Sequence, residues 1–295
     1  NVPHGMIAVG PNNISEGWDW CSGYHDSERT IAGFAQTHLS GTGVTDLGEI
    51  VLMPYLGAPK FVKGTGNGDG FAVTYDKSRE RVSPGYYSIS LFDDRLSVDL
   101  TAGDRVAYHR YASNEPFGLI LDLKSSAKSL MARQGYHDSG IRKVDRNTIT
   151  GFRLSDEWAR DHKVYFALRS SAPVTEIVGE NPIYALSFGE TDTLEVRVAV
   201  SYNSEEAALA NLDSEERVSF AEAEAKAAAD EAAVAAAAAK KAAAKKAAAK
   251  KPAAKKAPAK KAAAKPAAKK EAAPKAAAKP AVKKEAPKAD AKDKK

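Results

Sequence analysis

Between residues 44 and 203 the apolar residues come only in short runs, each closed by turn chemistry. "EIVLMPYL", "YYSISLF", "RLSVDLTA", "FGLILDL", "KVYFALR" and "TLEVRVAVSY" are separated by stretches such as "GTGNGDG", "SPGYY", "FDDR", "VDRNTITG" and "GENP". Leu194, Val196, Val198 and Val200 alternate with period two, which places one face of a strand in a core. No helical period intervenes, so the pattern predicts an all-β fold, an antiparallel β-sandwich. This is the feature that most restricts the chain.

At about residue 204 the period changes. "SEEAALANLDSEERVSFAEAEAKAAADEAAVAAAAA" consists of strong helix formers, and Ser219 with Glu222 fits a capping box. After Phe220 the only larger apolar residue before the tail is Val234, so this helix is expected to be solvated. From residue 240 lysine pairs recur every five residues among alanines and prolines. That spacing sprays charge around a helix instead of making one face. Three segments result: a sandwich over 1–203, an Ala/Glu-rich helical linker over 204–239, and a disordered Lys/Ala/Pro tail over 240–295.

Charge follows the same division. Residues 240–295 hold 21 lysines and four acids, a net of +17, whereas the preceding body has a net of −12. The overall +5 hides an acidic body joined to a basic tail. The single cysteine, Cys21, excludes an internal disulfide framework and a cysteine-based zinc site. No run is long and apolar enough for a membrane span.

Within residues 17–43 the chain places two tryptophans, two histidines and five glycines. Trp18, Asp19 and Trp20 admit two readings. Indole faces pack on the C–H faces of sugars while a carboxylate accepts from hydroxyls; equally, a tryptophan can sit under a sandwich edge with Asp19 capping a turn. In a strand, Trp18 and Trp20 would share one face. The loop from His38 through Gly41, Thr42 and Gly43 is built of small residues whose N–H groups can line a concavity, but it lacks a phosphate-loop lysine. His25 and His38 give only two metal ligands, so structural roles are expected of them. The acid pairs Asp93-Asp94 and Asp156-Glu157 sit in turns, where acids are solvated, and neither is assigned catalysis.

Five ordered blocks carry a resemblance: "PHGMIAVGPNN", "WDWCSGYH", "IAGFAQTHLSGTGVTDLGEIVLMP", "SPGYYSISLFDDRLSVDLTA" and "VYFALRSS". Together with "SYNSEEAALANLDSE" they resemble the N-terminal domain of glycoside hydrolase family 92, the calcium-dependent exo-acting α-mannosidases, over roughly residues 1–216. The resemblance implies a β-sandwich of the galactose-mutarotase-like supersandwich type. It also implies a following (α/α)6 barrel that carries the catalytic acid, base and calcium, with mannose held where the two domains meet. Trp18, Asp19, Trp20, His25, His38, Gly41, Thr42 and Gly43 fall on the blocks that would face the sugar.

The chain departs from the family at Gln36-Thr37-His38, where His-Thr-His is common, which puts any role of the first histidine in doubt. It also starts within the block from Pro3 to Met6, and the residues after the sandwich are too few and too simple to encode a barrel. The expectation is therefore a mannoside-facing carbohydrate-binding domain with no catalytic residues, metal or cofactor of its own. A separate expectation attaches to Lys240, Lys241, Lys245, Lys246, Lys250, Lys251, Lys255 and Lys256: the tail resembles linker-histone tails and would bind DNA or other polyanions through phosphates. The family resemblance implies a secreted or periplasmic location, and a nucleic-acid tail an intracellular one.

Overall fold

The computed structural model describes residues 5–15, 17–40, 46–126 and 135–249. Among the described residues, fifteen strands form two antiparallel sheets. The first is ordered β1 (Gly10–Asn13), β2 (Thr30–Ala35), β3 (Val51–Leu56), β9 (Phe117–Asp122), β14 (Ile183–Phe188) and β13 (Val174–Glu180), with β4 (Val73–Thr74) also paired to β2. The second runs β10 (Gly135–Lys143), β11 (Thr148–Asp156), β12 (His162–Ser170), β15 (Thr193–Ser201), β8 (Val106–Ser113), β7 (Leu96–Ala102), β6 (Tyr86–Leu91) and β5 (Glu80–Ser83). The predicted antiparallel sandwich is the fold.

The core gathers Ile31, Phe34, Leu52, Leu119 and Leu121 of the first sheet with Ile89, Val98, Tyr111, Val196 and Val198 of the second. A polar chain also crosses it. Tyr111 OH donates to His109 Nδ1 at 2.9 Å, His109 Nε2 donates to Gln36 Oε1 at 2.9 Å, and Gln36 Nε2 donates to the carbonyls of Phe34 and Ile50. The neutral tautomer satisfies every member, and burial lowers the His109 pKa to about 3. Gln36 therefore serves the core and is fully buried.

Along β15 the alternation gives way to a continuously buried run from Val198 to Ser201. Both faces are covered there, because α1 (Glu205–Ser214) packs on the outer face of the second sheet. Ala208 and Leu212 join Val106, Tyr108, Ala167 and Ala199 in a second apolar cluster. The capping box forms as read: Glu222 Oε2 accepts from the Ser219 amide at 2.9 Å, and the Glu222 amide donates to Ser219 Oγ at 3.2 Å.

The helix that follows, α2 (Phe220–Ala249), differs from expectation in two ways. It continues ten residues past position 239, and its first turns are docked. Phe220, Ala223 and Ala227 are buried, a stripe of small residues at helical spacing that a search for large apolar residues overlooks. Gly85 makes the approach possible: it has φ +77°, and a Cβ there would lie 2.6 Å from Ala227 Cβ. Arg110 lies over the Phe220 ring at 4.3 Å and Lys226 pairs with Asp104 at 2.7 Å. Beyond Glu231 the helix is exposed as far as its side chains are described.

Candidate functional site

The sandwich places the "WDWCSGYH" block at the end of β1. A bulge between Asn12 and Asn13 lets both consecutive asparagines turn inward. Asn13 donates to the Thr30 carbonyl at 2.9 Å and accepts from the His25 amide at 2.7 Å. Asn12 Nδ2 donates to the Gly48 carbonyl at 2.9 Å, while its Oδ1 lies 2.7 Å from His38 Nε2. The other His38 nitrogen, Nδ1, lies 2.6 Å from the Ala8 carbonyl. A neutral imidazole donates to only one of these two oxygens. Burial lowers the His38 pKa, opposed in part by the hydrogen bond to Ala8. His38 is thus a buttress behind the turn, its two ring nitrogens set against the Ala8 carbonyl and the Asn12 amide oxygen.

Trp18–Trp20 form one turn of 3-10 helix, not a strand. Residues two apart on such a helix point about 120° apart, so the two indoles do not share a face. Trp18 is 57% exposed and Asp19 is also exposed, without a hydrogen bond or ion pair among the described residues. Trp20 is half-buried under His25, with ring centroids 4.9 Å apart. Its indole Nε1 is covered and has no partner among the described residues. The turn closes by Gly23 donating to the Trp20 carbonyl at 2.8 Å. Gly23 adopts φ +83°, and a Cβ there would meet Asn12 Oδ1 at 2.6 Å and His38 Cδ2 at 2.9 Å. The structure therefore brings together Trp18, Asp19, Trp20 and His25 at the surface with His38 beneath them. Gly41, Thr42 and Gly43 lie outside the described residues.

Sequence reasoning missed a second polar cluster. Arg153 and Glu49 are both 0% exposed and joined at 2.9 Å. Arg153 also reaches Glu157 Oε1 at 2.9 Å, Ser155 Oγ at 2.7 Å and the Leu123 carbonyl at 3.0 Å. Ser126 Oγ donates to the same Glu157 oxygen at 2.7 Å. His162 Nε2 lies 3.0 Å from Glu49 Oε1, and its ring packs on Tyr202 at 5.7 Å. Burial disfavours the charged ring, but the hydrogen bond and charge of Glu49, with the charge of Asp46, outweigh it and raise the His162 pKa above 6.5. Glu157 is one of the turn acids expected to be solvated; the guanidinium draws it inside instead. Its neighbours in the other acid pair, Asp93 and Asp94, are exposed and line an open cleft of about 540 Å³, with Asp94 held by Arg79 at 2.6 Å. A signal for the cluster existed in the strand period: Ile149, Gly151, Arg153 and Ser155 share the inward face of β11.

Among the described residues no group of three or more His, Cys, Asp or Glu side chains converges as a metal site would require. No described helix is long and apolar enough to cross a membrane. Lys240 and Lys241 are exposed on α2, Lys245 and Lys246 belong to its last turns, and Lys250, Lys251, Lys255 and Lys256 lie outside the described residues.

Comparison with known proteins gives the family and the fold. Residues 1–208 match the profile of the glycosyl hydrolase family 92 N-terminal domain. The fold superposes on a family GH92 α-mannosidase from Bacteroides thetaiotaomicron with a TM-score of 0.71 and 28% identity, covering 78% of this chain and 34% of that one. The same enzyme solved in complex with mannoimidazole matches equally, at 0.71 and 28%, over 78% of this chain and 33% of that one. A GH92 inverting mannosidase from Bacteroides thetaiotaomicron VPI-5482 shares the fold at 23% identity and a TM-score of 0.62, over 78% of this chain and 31% of that one. The chain thus spans about a third of the length of these enzymes. No curated protein matches it.

Proposed function

Because the chain belongs to the glycosyl hydrolase family 92 N-terminal domains, we propose that it presents the sugar-facing aromatic half of an α-mannoside site, without proton-transfer chemistry of its own. The observation that carries this reading is Trp18: a largely exposed indole beside an unpaired carboxylate, Asp19, on a turn braced from behind. An exposed indole packs on the apolar face of a pyranose, and Asp19 accepts from its hydroxyls. The mannoimidazole complex of a 28% identical mannosidase supports the choice of mannose among sugars. Cleavage needs a general acid and a second carboxylate flanking the glycosidic bond. Asp93 and Asp94 lie in the β6–β7 turn, and Glu157 is engaged by Arg153.

One stacking face and few hydrogen bonds set the affinity in the millimolar range, on the order of −4 kcal/mol. Titration with methyl α-mannoside, followed by NMR of the indole N–H signals, is expected to shift Trp18 first. Unchanged sugar-induced shifts in Trp18→Ala would overturn the assignment. Release of mannose from an aryl α-mannoside above a heat-killed control would overturn the absence of catalysis.

A further inference from the structure

The Trp20 ring is oriented by packing. Its Nε1 is covered without a hydrogen-bond partner among the described residues, and the ring lies against His25 with centroids 4.9 Å apart. Asp19 and Trp18, one and two positions earlier in the same 3-10 turn, are exposed. Trp20 is thus the inward foot of the turn, and the placement of the His25 ring governs how Trp18 and Asp19 are offered.

His25 opens the turn 25–28, which the Glu28 amide closes on the His25 carbonyl at 3.1 Å. Both sheets hold it. From the first, Asn13 Oδ1 accepts from the His25 amide at 2.7 Å. From the second comes Glu80, the opening residue of the edge strand β5. One turn of 3-10 helix, Lys77–Arg79, precedes it, with Asp76 accepting from the Ser78 amide at 2.9 Å. Three residues per turn put Lys77 and Glu80 on one side of that helix, and they pair at 2.5 Å. The Glu80 side chain is only 4% exposed. Tyr87 OH donates to its Oε1 at 2.8 Å, and Tyr24 OH lies 3.0 and 3.1 Å from its two oxygens. Burial first, and then the Glu80 charge, push the Tyr87 pKa upward, so that hydroxyl stays a donor.

Among the links from this cluster to the turn, the one through Tyr24 carries the most. Lys77 pairs with Asp26 at 2.9 Å, but the Asp26 side chain is 87% exposed, and such pairs contribute little. Tyr75 OH donates to the Glu28 carbonyl at a long 3.3 Å. A hydroxyl on an enclosed carboxylate makes a charge-assisted hydrogen bond, which is of the stronger class. Lys77 reinforces it by donating to the Tyr24 oxygen and lying over the Tyr24 ring at 4.5 Å. Tyr24 adjoins His25 in the chain, so a shift of one displaces the other.

We propose that Glu80 is the positioning residue of the Trp18 turn: through Tyr24 it fixes the His25 ring, and through that ring the Trp20 indole. The proposal rests on the mannoside reading of the turn for its effect on binding, though not for its effect on geometry.

The test compares two hydroxyl deletions around one carboxylate in the full chain. Tyr24→Phe cuts the link to the turn, whereas Tyr87→Phe removes the donor that Glu80 takes from β6. Both keep their rings, and both should lower the melting temperature slightly. The readouts are the His25 ring Cε1–H signal, which the Trp20 ring current shifts, and the affinity for methyl α-mannoside. Tyr24→Phe is expected to move the His25 signal and to weaken mannoside binding several-fold; Tyr87→Phe is expected to leave both at the parent values. Glu80→Ala should repeat the effects of Tyr24→Phe, and Glu80→Gln, which keeps one acceptor, should restore part of them. If Tyr24→Phe leaves the His25 signal in place, or both deletions move it equally, the positioning role is overturned while mannoside binding by the parent still upholds the proposed function. A moved signal at parent affinity overturns the step from ring to ligand. A parent chain that binds no mannoside overturns the mannoside reading, and the His25 signal then decides the positioning role by itself.

Discussion

The Trp18 turn rests on His38 and Gly48 and the Arg153 cluster on Glu49, yet these two flanks are built on opposite principles. The turn keeps Trp18 and Asp19 in water and packs two amides, Cys21, Gly23 and His38 beneath them. The cluster takes its charges out of water altogether, with Arg153 and Glu49 wholly enclosed. A surface that meets a ligand needs groups without partners, whereas a buried charge is tolerated when it is paired and hydrogen-bonded. The contrast fits the binding role proposed for the turn and gives the cluster the task of rigidity.

Removing the guanidinium should have the largest effect. Arg153→Met would leave Glu49 and Glu157 enclosed without their cation, and breaking a buried pair this way costs about 3–5 kcal/mol. Urea unfolding should show the midpoint falling sharply, while the double change Glu49→Gln with Arg153→Met recovers part of the loss. A single variant as stable as the parent would mean that the enclosure is looser than the structure shows. On the other flank, Gly23→Ala places a Cβ against Asn12 and His38 in a left-handed conformation. A cost of about 1–3 kcal/mol is expected from that backbone strain, together with loss of sugar binding as the turn shifts. Serine at 23 should behave alike, since the Cβ is the cause.

The two flanks should also answer pH in opposite directions. The His38 pKa is lowered by burial, so its share of stability is present above about 6.5 and is lost as pH falls. The His162 pKa is raised, so its share is present below about 6.5 and is lost as pH rises through its folded value. Amide hydrogen exchange resolved by region should show residues 8–25 loosening in acid and residues 155–162 loosening toward alkali. His162→Gln should abolish the second trend alone. Loosening of both flanks in the same direction would contradict the assignment of either histidine.

How far the sequence disclosed these flanks depends on the range of the contacts. Strand alternation is local, so the sandwich was legible from Leu194, Val196, Val198 and Val200 alone. The Trp18 block was legible as a unit because its residues are neighbours in the chain, although the 3-10 turn that parts Trp18 from Trp20 was not. The Arg153 cluster joins residues 104 positions apart in the chain. Arg153 occupies an inward position that could be read, but nothing local named Glu49 as its partner. The docking of α2 was hidden for another reason: its buried stripe is alanine, and it is Gly85 that makes alanine large enough.

The smallest effect on stability should come from Trp18, the residue to which the proposed function gives the largest part in binding. Trp18 is exposed, its turn is held through Gly23 and His25, and its ring leaves the apolar core untouched. Substitutions at such positions change stability by no more than about 0.5 kcal/mol. Trp18→Ala should therefore melt with the parent protein while losing the shifts induced by methyl α-mannoside. Trp20→Ala is the sharper control, because that indole is half-buried against His25 and should lower the melting temperature as well as binding. If Trp18→Ala instead melts several degrees lower, the indole is a structural cap on the sandwich end, and the distinction between a flank for binding and a flank for rigidity collapses.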